Sequence, residues 1–175
     1  TIQKTVIEME QGRDSIDDCF LRTYRILDNL TKQSSIMSLQ NLKNPFETRD
    51  YYSLIKAQQL ISISELSNEV VIDSMILFGS SDNISMLSTN CIVRNFEKYY
   101  NNKLLNYGGL DYNSFIDLIY QKANTQRNIQ SFLSSTRIES YRIGNKDILL
   151  FVKYLNTPYS DYNMISLIFL DAQKI

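Results

Sequence analysis

The sequence of 175 residues has no histidine and no tryptophan, and it has only two cysteines and two prolines. Without histidine, the chain lacks the commonest general acid–base, the commonest metal ligand and every Ser-His or Cys-His nucleophile pair. A hydrolase would therefore need a pair of carboxylates, and no spacing in the chain indicates one. We expect a domain that is not an enzyme and that carries no cofactor.

The cysteines, Cys19 and Cys91, are too few for a disulfide scaffold or a zinc site. We interpret them as two separate thiols, although spacing alone leaves a disulfide between them open. Charge is also balanced, with 18 Lys and Arg against 19 Asp and Glu, and no basic run exceeds two residues. A basic face for phosphate neutralisation is missing, so we expect no direct contact with nucleic acid.

Long apolar stretches are absent as well. No run approaches the ~20 residues that span a bilayer, and no signal peptide is visible. Yet the sequence starts inside a helical pattern and stops directly after a predicted strand. We therefore expect an excised piece of a longer protein whose membrane segments lie outside this sequence. Its composition, 43% hydrophobic and 21% charged, is typical of a globular domain.

The first arm, from Thr1 to about Leu39, has the periodicity of a long helix. A helix of ~35 residues would be about 50 Å long, more than the width of such a domain. We expect its C-terminal half to pack on a sheet and its N-terminal half to form a stalk or a dimer seam; the alternative is an ordinary amphipathic helix packed along its whole length. The repeat follows 4-3 spacing through Ile2, Val6, Met9, Arg13, Ile16, Phe20, Thr23, Leu27 and Leu30.

A second helix and a first strand follow the break at Asn44-Pro45. The helix is predicted from about Tyr51 to Leu66, with Thr48 or Asp50 as its cap. Val70–Phe78 is nearly continuous apolar sequence after a Ser67-Asn68 turn signal, which is typical of a strand buried on both faces. Its predicted hairpin partner is Ile84–Ser88.

The segment Asn90–Leu133 is predicted as a mainly helical insertion, with a short helix around Phe96–Leu104 and a second helix capped by Asp111. The last third predicts three antiparallel strands: Arg137–Ile143, Ile148–Leu155 and Asn163–Asp171.

These last strands are apolar on both alternating faces, so both faces must be covered. We predict an α+β fold in which the long helix covers one face of a roughly five-stranded sheet and the insertion covers the other. The space under the insertion would be a natural ligand pocket. We divide the chain into a stalk helix over 1–40 and a body over 41–175 that form one structural unit.

This order of elements resembles the Cache (PAS-like, PDC-type) extracellular sensor domains of Gram-positive membrane receptors. It is most similar to those of membrane-anchored AraC-type transcription regulators and related sensor histidine kinases. The likeness rests on Asn44-Pro45, on Asp50–Leu54, on Ser67–Phe78 and on Met164–Asp171. It covers nearly the whole chain as a pattern of elements, without a sharp fingerprint motif.

The resemblance implies a domain on the extracellular face of the cell membrane, held by transmembrane segments absent from this chain. Family members bind small molecules in a pocket over the sheet and transmit a shift down the first helix. We accordingly expect a small-molecule ligand, with a sugar or another nutrient as candidates, and a homodimer through the N-terminal helix. The Arg-x-Trp-Tyr signature of the amino-acid-binding subgroup is absent here, since the chain has no Trp.

Candidate ligand-binding residues are tyrosines placed where the pocket is expected, arginines of the last strands, and polar residues inside apolar strands. Tyrosine rings can stack on sugars while their hydroxyls donate hydrogen bonds, and Arg137 or Arg142 could clamp a carboxylate. For each of these the alternative is plain packing or a solvated strand edge; for Asp73 it is a bond to a backbone turn or an Arg. The set comprises Asp73, Tyr107, Tyr120, Tyr141, Arg142, Tyr154 and Ser166, with Tyr99 also near the expected pocket.

A binding protein without a signalling role is the alternative function, either a viral immune modulator of the Bcl-2 type or an adhesin-type domain. Three real strands over Arg137–Asp171 would exclude the all-helical Bcl-2 type.

Overall fold

The computed structural model describes residues 2–42, 45–65, 69–80, 82–104, 110–120, 136–143, 145–155 and 163–175. Its helices are α1 (Ile2–Lys32), α2 (Ser34–Met37), α3 (Thr48–Glu65), α4 (Phe96–Tyr99) and α5 (Tyr112–Tyr120), with a 3-10 turn at Ser38–Asn41 and a π-helical turn at Tyr100–Leu104. Its strands are β1 (Val71–Ser80), β2 (Asn83–Ser88), β3 (Ile92–Val93), β4 (Arg137–Ile143), β5 (Lys146–Tyr154) and β6 (Asn163–Asp171).

Within these described ranges the strands form one antiparallel sheet in the order β3-β2-β1-β6-β5-β4. The predicted α+β class is therefore confirmed, and the all-helical Bcl-2-type bundle is excluded. The sheet has six strands rather than about five, because Ile92 and Val93 pair with Leu87 and Met86 inside the segment predicted to be helical.

Both faces of the sheet are buried, as the sequence predicted. We call the side under α1, α2 and α3 the helix face; its core includes Leu27, Ile36, Leu54, Ile76, Phe151 and Ile168. We call the side under α4 and α5 the insertion face; its core includes Phe96, Tyr100, Phe115, Leu77, Leu150 and Leu167. Alternate residues of β1, β5 and β6 divide between these cores, which is the two-residue period of a strand.

The hairpin between β1 and β2 depends on Gly79, whose φ of 131° lies in the left-handed region. A Cβ on this residue would stand 2.3 Å from the carbonyl oxygen of Asn83, so only glycine fits here.

The first helix is divided between a packed half and an uncovered half. Residues 4–18 are all exposed, and burial begins at Cys19 and continues through Thr23, Ile26, Leu27 and Leu30. At 1.5 Å per residue the 31-residue helix is about 46 Å long, so roughly 22 Å of it extends past the packed region. The packed C-terminal half is confirmed, and packing along the whole length is wrong.

Two predicted helix boundaries are wrong. The first helix ends at Lys32 rather than near Leu39, because Gln33 is extended (φ −79°, ψ 119°) and turns the chain so that Ile36 and Leu39 are buried. The second helix begins at Thr48 rather than Tyr51, so Asp50 lies in its first turn instead of capping it. The predicted turns at Ser67-Asn68 and Gly108-Gly109 lie outside the described residues, as does the rest of the insertion after Tyr120.

Cys19 belongs to the helix-face core, whereas Cys91 packs against the insertion-face core. The sheet separates them, and no disulfide joins them. Among the described residues, no helix combines the length and the apolar character needed to cross a bilayer.

Candidate functional site

The candidate site lies on the insertion face, where the end of α5 meets β4 and β5. Two features of the sequence position α5: a capping residue at its N-terminus and a pair of apolar residues on one side of the helix. Oδ1 of Asp111 accepts the backbone N–H of Ser114 at 3.0 Å, and Oδ2 accepts the Ser114 hydroxyl at 2.7 Å. These two bonds lower the pKa of the Asp111 carboxyl. Phe115 and Ile119, four residues apart and buried, then face the sheet.

Two side chains from the sheet bind backbone carbonyls in the last described turn of α5. Nη2 of Arg137 donates to the carbonyls of Leu118 and Ile119 at 2.9 and 2.8 Å. The hydroxyl of Tyr154 donates to the Ile119 carbonyl at 2.8 Å.

Two further groups complete the site. The ring of Tyr120 stands edge-on to that of Tyr154, with centroids 6.4 Å apart. Nε of Arg137 is buried and has no hydrogen-bond partner among the described residues. An unpaired, buried guanidinium N–H favours a carbonyl, hydroxyl or carboxylate oxygen as its partner.

Burial shapes the titration of these tyrosines. It raises the pKa of Tyr154 to about 12, although the nearby Arg137 charge lowers it in part. Burial likewise raises the pKa of Tyr120 above its ordinary range. Both hydroxyls therefore stay protonated near neutral pH, and the single proton of Tyr154 is already donated to the Ile119 carbonyl.

A second aromatic group lies further along the same face, around Phe96. The ring of Tyr100 lies 4.8 Å from that of Phe115, and its hydroxyl donates to the Leu110 carbonyl at 2.6 Å. Burial raises the pKa of Tyr100 to about 12. Tyr99 stacks on Phe96 at 6.5 Å and lines an open surface groove of about 350 Å³.

The structure brings together some of the predicted site residues and separates others. Tyr120 and Tyr154 meet at the insertion face. Asp73 pairs with Phe169 beside a β-bulge, and its Oδ1 accepts the N–H of Ser74 at 2.8 Å, the backbone role that was the alternative to ligand binding. Tyr141 lies in β4 opposite Ile148, and Tyr107 lies outside the described residues.

Ser166 and Arg142 lie away from this group. Ser166 is fully buried on the helix face, between Met164 and Ile168 in the alternation of β6. Arg142 is exposed at the β4–β5 turn, where its Nε bonds Oδ1 of Asp147 at 2.8 Å and this bond raises the Arg142 pKa.

Sequence reasoning overlooked Lys153. This residue is 5% exposed on the helix face, where its ammonium group pairs with the carboxylate of Asp28 on α1. A charge inside an apolar strand needs a partner, and Lys153 interrupts the apolar run of β5 in the same way that Asp73 interrupts β1. That signal could have identified it.

Within the described part of the chain, no group of three or more His, Cys, Asp and Glu is placed to hold a metal ion. In comparisons with known proteins, no protein-family profile matches the chain, and no curated protein gives a significant match.

Proposed function

We propose that this chain is the extracytoplasmic small-molecule-sensing domain of a transmembrane signalling protein, an AraC-type transcription regulator or a sensor histidine kinase. In this proposal the ligand binds at the insertion face and α1 carries its effect towards the membrane. The main support is α1 itself: one rigid helix is packed on the sheet from Cys19 onward and uncovered over residues 4–18.

The side chains of the insertion face support binding of a small polar ligand. The ring of Tyr120, the hydroxyl of Tyr154 and Nε of Arg137, which has no partner among the described residues, lie together where α5 meets β4 and β5. Such a set of few polar groups over apolar walls is typical of small-molecule sites. Sugars, organic acids and other nutrients with hydroxyl or carboxylate oxygens would offer acceptors to the Nε–H of Arg137, while the Tyr154 hydroxyl oxygen can still accept a hydrogen bond.

The test is a thermal-shift screen of the 175-residue chain against sugars, amino acids, organic acids and short peptides. A ligand that binds only the folded state stabilises it by RT ln(1 + L/Kd), where L is the free ligand concentration, so the melting temperature rises with the logarithm of L once this exceeds Kd. Arg137→Lys, which keeps the charge but loses Nε and the planar fork, should abolish the shift. If no compound in the library raises the melting temperature, sensing by this domain is contradicted. If a compound raises the melting temperature of Arg137→Lys as much as that of the wild type, the proposed binding site is contradicted.

We also propose that a second copy of the chain covers the exposed half of α1. Val6, Met9 and Ile16 are 47%, 71% and 41% exposed, and they continue in 4-3 spacing the stripe that is buried at Thr23 and Leu27. Apolar side chains at this spacing are typical of a helix-pairing seam.

Sedimentation equilibrium tests this pairing. Met9→Ser with Ile16→Ser should weaken self-association while leaving the melting temperature of the domain within about 2 °C, because exposed positions contribute little to folding. Gln11→Ser, on the same uncovered half but outside the stripe, is the matched control. Equal self-association in both variants would contradict the seam.

A further inference from the structure

Strand β5 contacts α1 through one of its faces. The ring of Phe151 meets the rings of Phe20 and Tyr24 edge-on, with centroids 5.3 and 5.6 Å apart. Two residues on, Lys153 pairs with Asp28. Positions 20, 24 and 28 are spaced by four and so lie along one line of the helix. This strand therefore follows α1 over two helical turns.

The opposite face of β5 contacts α5. Tyr154, adjacent to Lys153 in the chain, points to the other side because successive strand residues alternate. Its hydroxyl bonds the Ile119 carbonyl at 2.8 Å, and its ring meets Tyr120. Two neighbouring residues of one strand thus bind the helix on each side of the sheet.

The Lys153–Asp28 pair makes the position of α1 depend on that of β5. Lys153 is 5% exposed, and a buried ammonium is costly unless an opposite charge lies beside it. The Asp28 carboxylate supplies this charge from a helix position whose side chain is 57% exposed. Any displacement of β5 along α1 would leave the ammonium buried and unpaired, so the helix is expected to follow the strand.

We propose that β5 is the mechanical link between the insertion face and α1, with Lys153 and Asp28 as the positioning residues that tie strand to helix. The regulatory meaning of this link rests on the proposed sensing function. The link itself is a property of the fold, and it can be measured without a ligand.

The experiment is amide hydrogen exchange of the whole chain. Tyr154→Phe removes the hydroxyl that holds β5 to α5, and we expect the amides of residues 19–30 in α1 to exchange about fivefold faster. That factor corresponds to the loss of one ordinary hydrogen bond. The matched control is Tyr100→Phe, which removes a similar tyrosine–carbonyl bond on the same face but not on β5. It should leave α1 exchange near the wild-type rate.

Tyr154→Phe and Tyr100→Phe are then each introduced into a chain that already carries both Asp28→Asn and Lys153→Met. Replacing both members of a buried ion pair is often tolerated, whereas removing one is not. In this background the excess effect of Tyr154→Phe on α1 should disappear. If the double variant does not fold, Lys153→Met alone provides the same test, because the Asp28 carboxylate that it leaves behind is half exposed and can be solvated.

Two results would overturn the link. One is equal acceleration of α1 exchange by Tyr154→Phe and Tyr100→Phe, which would indicate general loss of stability. The other is an excess effect that persists without the ion pair. Neither result depends on the thermal-shift screen, so failure of the link and failure of the sensing function are distinguishable.

Discussion

The helix face and the insertion face of the sheet are both buried, but different forces hold their covers. On the helix face, α1 is held mainly by apolar side chains with one ion pair, and only α3 reaches the sheet by described hydrogen bonds, from Gln58 to the carbonyls of Ser88 and Thr89. The buried hydroxyls of Ser74 and Ser166 have no hydrogen-bond partner among the described residues. On the insertion face, the hydroxyl of Tyr154 and Nη2 of Arg137 reach from the sheet to the carbonyls of Leu118 and Ile119 in α5.

This contrast indicates different mechanical roles. Side-chain packing is non-directional and allows small shifts between α1 and the sheet. Hydrogen bonds from Tyr154 and Arg137 to the end of α5 are directional, so the insertion and β4–β5 should move as one body. A disturbance at the insertion face should therefore reach the sheet readily and reach α1 only through specific contacts.

The strongest test of the helix-face cover is Phe151→Ala. Phe151 is fully buried and contacts both Phe20 and Tyr24 of α1. Its loss should lower the free energy of unfolding by ~3–5 kcal/mol through lost burial and a residual cavity. Urea denaturation measures this. A cost below ~1 kcal/mol would mean that α1 does not depend on this contact.

The ion pair should have the next largest effect. Asp28→Ala leaves the Lys153 ammonium buried without its counter-charge, and we expect a loss of about 1–3 kcal/mol, less than for a fully buried pair because Asp28 is half exposed. The control is Asp18→Ala on the same helix, whose pair with Arg22 is solvent-exposed. That variant should lose no more than ~0.5 kcal/mol. Similar losses in both would contradict the buried role of Lys153.

Alkaline pH should destabilise the insertion face specifically, because the tyrosines with raised pKa values lie there. Tyr100 and Tyr154 have pKa values of about 12 when folded, against 10.0 ordinarily, so the unfolded chain loses these protons first. Stability should be constant below pH 10 on this account and fall as the pH rises from about 10 to about 12. Tyr154→Phe should make this fall shallower. Parallel curves for the variant and the wild type would contradict the assignment.

The smallest expected change in the free energy of unfolding is a gain rather than a loss. Ser166→Ala removes a buried hydroxyl without a described hydrogen-bond partner, so stability should be unchanged or rise by up to ~1 kcal/mol. Ser85→Ala is the control, because Oγ of Ser85 donates to the Arg94 carbonyl at 3.0 Å, and its loss should cost ~1 kcal/mol. A clear destabilisation by Ser166→Ala would indicate that the hydroxyl has a partner, such as a buried water.

Some of the architecture was predictable because it depends on local pattern. Strand β6 was predicted over Asn163–Asp171 and has those limits, since two-faced apolar sequence bounded by polar residues has few other interpretations. The cap of α5 at Asp111 was predictable for the same reason. The turn at Gln33 was not, because no proline or glycine marks it and burial of Ile36 and Leu39 decides it.

The candidate site was predicted less completely. Tyr120 and Tyr154 were named, but their meeting depends on where α5 ends relative to β5, which is a contact between residues 34 positions apart. Arg137 was considered as a ligand clamp, whereas its Nη2 is bound to the end of α5. Contacts of this kind leave no periodic trace in the chain.

The α+β class, the burial of both sheet faces and the long first helix could be read from the chain, because apolar periodicity and turn residues act within a few positions of one another. The partners of the buried polar groups on β5 could not: Lys153 meets Asp28 of α1, and Tyr154 meets the carbonyl of Ile119 in α5. The reason is physical. A buried charge or hydroxyl requires a partner, but which partner it finds depends on packing between elements far apart in the chain.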